Sequence, residues 1–175
     1  MLLEFASIVV GVLLALGLSE WADEREHRQL ANAALDNVYA EVERNQTVLK
    51  IIHENNSATV AAIEEEQDSG DDRQFIPGIQ LEDTAWSTFI ETGLSAYASY
   101  DEVLEMSNVY SLQEVYEQSG RFLIQASMTS SAFAAASGVE IDNDLFAQNF
   151  LEYFSMLAAV EEQLITAYDS VERAE

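Results

Sequence analysis

The chain of 175 residues contains no cysteine, one proline, one lysine and two histidines. The lack of cysteine excludes disulfides, thiolate metal sites and a cysteine nucleophile, and it leaves the redox compartment open. Seven basic residues stand against 32 acidic ones, giving a net charge of -25. A surface this negative repels phosphate backbones, so no nucleic-acid partner is expected. The plain reading of the acidity is solubility, and the alternative is a basic partner or a field that gathers cations. Pro77 alone, with seven glycines, leaves long helices uninterrupted. No segment sustains the apolar/polar alternation of a strand.

Catalytic signatures are equally scarce. Glu24-Arg-Glu-His27 satisfies the Glu-x-x-His spacing of di-iron bundles, but Lys50 stands three before His53, so the motif is not repeated. No zinc spacing, Gly-x-Ser-x-Gly elbow, phosphate-binding glycine loop or identifiable Ser/His/Asp set is present. The acids at 64–66, 68, 71 and 72 read as a solvated charge run and lack EF-hand spacing. The expectation is a protein that is not an enzyme and takes no metal or cofactor.

The chain does have an apolar run from Phe5 to Leu18, passing without a breaker after Gly17 into a helical pattern that lasts to about residue 68. Fourteen residues make about 21 Å of helix, short of the roughly 30 Å bilayer core. Residues 1–22 reach about 33 Å, with Trp21 at the headgroup level, so these residues are expected to be a transmembrane anchor. A cleaved signal peptide is the rival, but a positive n-region is missing. Ser7, Gly11, Ala15 and Ser19 recur every four residues, a small-xxx-small ladder that lets a partner helix approach closely in lipid.

Beyond the anchor, Ala31, Leu35, Val38, Val42, Asn45, Leu49, Ile52, Asn56, Thr59 and Ile63 step by four and three. This is a heptad seam. It either packs on the chain's own later helices, which we favour, or forms a coiled coil in which Asn45 and Asn56 pair across copies. Breakers occupy 67–80, including Pro77-Gly78. Helices are predicted at 83–92, with Gly93 closing it, at 100–136, opened by a capping box at Ser99–Glu102 and disturbed at Gly120, and at 143–173. Along the last, Phe146, Phe150, Tyr153, Leu157, Val160, Leu164, Tyr168 and Val171 form one stripe. Trp86, Phe89, Tyr97, Tyr100, Tyr110 and Tyr116 gather near one turn, as core or as the wall of a ligand pocket.

Several of these stretches together, Leu3–Leu16, Glu20-Trp21, Val42–Asn45, Thr84–Trp86, Thr92–Leu94 and Tyr110–Gln113, resemble a group of uncharacterised bacterial single-pass membrane proteins with a helical soluble domain. The resemblance covers about two-thirds of the chain, and its motifs are structural. It implies architecture and an inner-membrane location, and it carries no activity. Such proteins usually have basic residues before the anchor, which places the domain outside the cytoplasm, whereas this chain has Met1–Glu4 there. Arg25 and Arg28, after the anchor, point toward a cytoplasmic domain. The periplasm is expected on balance.

The expected fold is therefore all-α, with a transmembrane helix at 1–22 continuing into a long helix at 23–68 of an antiparallel bundle spanning 23–175. The expected role is an accessory or scaffold subunit that packs on the transmembrane helices of a larger membrane complex, or of itself. The alternatives are a ligand-sensing helical domain and a self-associating coiled coil.

Overall fold

In the computed structural model the backbone is described for residues 2–64, 75–137 and 143–171, and side chains for 10–64, 75–129 and 151–171. Among these residues every element is helical: α1 (Leu2–Glu64), α2 (Thr84–Glu91), a short 3-10 turn (Leu94–Tyr97), α3 (Tyr100–Ser137) and α4 (Asn143–Ser170). At 1.5 Å per residue, α1 is a rod of about 95 Å. It has no internal proline, and its only glycines, Gly11 and Gly17, lie near its start.

Successive elements reverse direction. An extended segment at 75–83 and then α2 run back down α1, α3 climbs again, and α4 descends against α1 and α3. The seam of α1 is what they cover. Ala31, Leu35, Val38, Val42, Asn45, Leu49, Ile52, Asn56 and Thr59 are buried, and Ile63 is half-buried. From the other helices Phe89, Met106, Val109, Tyr116, Leu123, Leu157 and Leu164 complete the core. The seam is thus occupied within the chain, and Asn45 and Asn56 bond to its own backbone.

Two local expectations are revised. The helix predicted at 100–136 is not disturbed at Gly120, since α3 runs through it. Gly120 is there because the Pro77-Gly78 turn lies on the helix surface. A Cβ on Gly120 would sit 2.8 Å from Gly78 Cα and 2.9 Å from the Pro77 carbonyl. Gly78 itself holds φ +63°, which also favours glycine. In the predicted capping box, Glu102 turns to accept the Tyr39 hydroxyl at 3.5 Å. Gly93 does close α2, in the left-handed region at φ +73°, with its N–H on the Ile90 carbonyl.

Among the described residues, no helix is long and apolar enough to cross a membrane. The side chains of residues 1–9, including Ser7, lie outside those described, as do Phe146 and Phe150 of α4.

Candidate functional site

Two features of α1 concern function: how it is gripped by the bundle, and what it leaves uncovered. The grip is polar and is centred on buried side chains. Asn45 clamps one residue of the returning segment, with Nδ2 donating to the Glu82 carbonyl at 2.7 Å and Oδ1 accepting the Glu82 N–H at 2.9 Å. Asn56 does the same to Ile76, at 2.9 and 2.8 Å. Each carboxamide offers a donor and an acceptor side by side, which is what the N–H and C=O of a strand residue require. Segment 75–83 therefore lies along α1 with no sheet to receive it.

Glu41 grips α2. Its buried carboxylate accepts the N–H groups of Ala85 at 2.8 Å and Trp86 at 3.3 Å, and the Tyr110 hydroxyl at 2.6 Å. It does the work of an N-cap from a different helix, while Asp83 occupies the N-cap position without a side-chain capping bond. The positive end of the helix dipole favours the negative charge. Burial, together with the Glu41 charge, pushes the Tyr110 hydroxyl well above its ordinary pKa.

Further along α1, Glu161 of α4 is fully buried and receives Asn56 Nδ2 at 2.7 Å and His53 Nδ1 at 3.3 Å. Burial raises its pKa, and the bonds from Asn56 and His53 act against that. His53 Nε2 lies 3.5 Å from Ser57 Oγ. The order carboxylate, imidazole, hydroxyl is present, but the last link is too long for a good hydrogen bond. Tyr168, on α4, donates to Gln113 Oε1 at 2.8 Å, and Gln113 donates in turn to the Glu82 carbonyl at 3.1 Å. Among the described residues no buried side-chain polar atom lacks a partner.

The six aromatic residues expected together are divided among three places. Trp86 and Tyr110 stack at 5.2 Å, with Phe89 buried beside them. Tyr116 is buried further along α3, its hydroxyl accepting the Ile79 N–H. Tyr97 stacks on His27 at 4.8 Å, and Tyr100 is 76% exposed. A cleft of about 390 Å³ borders Trp86 and Tyr110, but its other walls are polar, with Asp83, Glu114, Glu117 and Arg121 among them. No group of three or more metal-ligating side chains occurs among the described residues.

What α1 leaves uncovered is its first third. Every described side chain from Val10 to Leu30 is exposed, and Leu13, Leu14, Leu16 and Leu18 are each more than 60% exposed. Gly11, Ala15 and Ser19 lie on this stretch, and among the described residues nothing lies within 4 Å of where a Cβ at Gly11 or Gly17 would sit. Trp21 is exposed as well, with the Arg25 guanidinium 5.7 Å from its ring centre. The bundle begins at Glu24–Arg28, beside the 3-10 turn.

The sequence offered no signal for Glu41, Gln113 or Glu161. Their partners on other elements lie 31 to 108 residues away, so no local spacing marks them. No family model, curated protein or solved structure matches the chain.

Proposed function

We propose that this is a single-pass, membrane-anchored subunit that acts by helix packing. In this reading the apolar start of α1 lies in the bilayer against the helices of a larger membrane assembly, and the acidic bundle stands outside, on the periplasmic side. The observation that carries it is the uncovered ridge from Val10 to Leu18. Removing four leucine side chains from water is worth about 6–12 kcal/mol, comparable to the whole stability of a domain. Such a surface needs lipid or protein against it.

The continuity of α1 supports the same reading, because the ridge is held on one rod with the gripped seam. The ladder at Gly11, Ala15 and Ser19 would admit a partner helix to close range. A coiled coil through the Leu35–Ile63 seam would require the chain's own helices to leave it.

The test is carbonate extraction of native membranes, followed by mild-detergent solubilisation, native sizing and mass spectrometry of co-migrating chains. Retention in the membrane with a stoichiometric companion is expected. Release by carbonate would overturn the anchor, and a species holding this chain alone would overturn the subunit role.

A further inference from the structure

Among the described residues two carboxylates are buried, Glu41 and Glu161, and they are served differently. Glu41 receives two backbone N–H groups and the Tyr110 hydroxyl, which burial keeps protonated. The Arg44 guanidinium lies near enough to feel its charge, and a guanidinium does not titrate. Glu161 instead receives one amide N–H from Asn56, at 2.7 Å, and the His53 imidazole, at 3.3 Å. Of these two partners only the imidazole can gain or lose a charge. One clamp is permanent, and the other is conditional.

The other ionisable groups on the elements packed here are engaged elsewhere or face solvent. Lys50 of α1 is held by Asp169 of α4 at 2.9 Å. Glu117 of α3 accepts the Leu81 N–H and pairs with Arg121. Glu54 of α1 and Glu162 of α4 are exposed. Segment 75–83 comes to the site as the Ile76 backbone, while its Glu82 pairs with Arg44. Tyr116 of α3 does face the carboxylate: burial, and then the Glu161 charge, push its hydroxyl upward. Among the described residues, His53 is the one cationic partner Glu161 has.

Asn56 spreads the state of this pair across the fold, since the same carboxamide holds the Ile76 N–H and C=O. With one proton shared, the site holds a neutral acid beside a neutral imidazole, or a carboxylate beside an imidazolium. His53 is 27% exposed, so the proton can leave through it to water. What remains is a negative charge in the interior without a counter-charge, which is costly. We propose that Glu161 and His53 form a proton-operated latch. While they share a proton, α4 and segment 75–83 stay clamped to α1. When it leaves, both loosen, and α2 stays held by Glu41. The latch therefore opens as pH rises, and it does so whatever covers Val10–Leu18.

Hydrogen exchange of the full-length protein in mild detergent, read by mass spectrometry and corrected for the intrinsic effect of pH, tests this. The span from about pH 5 to about pH 8 runs from just above the unfolded carboxyl value to beyond the range of a charged free imidazole. Over it, protection of 75–83 and α4 should fall at least about ten-fold, while α2 changes less than about two-fold. Glu161→Gln, which carries no proton to lose, should flatten the response of 75–83 and α4. His53→Gln keeps a donor but cannot take a second proton, so opening should move at least about one pH unit toward acid. Equal protection at both ends overturns the proposal, as does an equal loss at α2, which would be global unfolding. A His53→Gln profile that superimposes on wild type also overturns it. Should Glu161→Gln fail to fold, the change at partly exposed His53 decides alone.

Discussion

Asn45 and Asn56 show how much can rest on one carboxamide. Each closes two hydrogen bonds to a single backbone residue, and Asn56 also supports Glu161. Asn56→Ala would leave the Ile76 N–H and C=O and one Glu161 oxygen without that partner. A loss of about 2–4 kcal/mol is expected in urea unfolding, against less than about 0.5 for the exposed change Gln118→Ala. A loss below about 1 kcal/mol would mean that water replaces the clamp. Glu161 makes a prediction with a sign. Its folded pKa is raised by burial, so the folded state holds the proton more tightly than the unfolded chain, whose carboxyl titrates near about 4.3. The resulting stabilisation is fully present below the unfolded value and is lost as pH climbs through the folded one. The Tm difference, wild type minus Glu161→Gln, should therefore fall as pH rises from about 4 and then level off. A difference that rises over that range would contradict the assignment.

At the level of elements, the Pro77-Gly78 turn fits α3 only because both contacting residues are glycine. Gly120→Ala should destabilise by about 1–3 kcal/mol even though alanine is the better helix former, because its Cβ meets backbone that cannot rotate away. Stabilisation by this change, read in thermal unfolding, would mean that the turn lifts off the helix. The same contact marks where sequence reading ends. The seam from Ala31 to Ile63 and the stop at Gly93 were legible because periodicity and left-handed glycine are local properties of the chain. Gly120 read as a weak point in a helix, because its reason lies 42 residues earlier in the turn at Gly78. Asn45 and Asn56 read as seam positions, which they are, but their partners depend on an extended segment that has no pattern of its own. Glu41 as the cap of α2 was invisible, because it lies 44 residues before the Ala85 N–H that it receives.

The whole molecule is a rod with a bundle clasped to part of it. From Val10 to Glu64 the described residues of α1 contain no proline, no irregular turn and no gap in the helix. Such a shaft has no joint, so the azimuth of the bundle is slaved to the azimuth of its apolar end. Each residue advances the helix by about 100°, and the number of residues between Ala22 and the bundle contact at His27 becomes a phase setting. One alanine inserted after Ala22 should turn the bundle by about 100° relative to Ala15, whereas seven should turn it by only about 20°. The chain thus records, in a residue count and not in any side chain, which way its acidic domain faces.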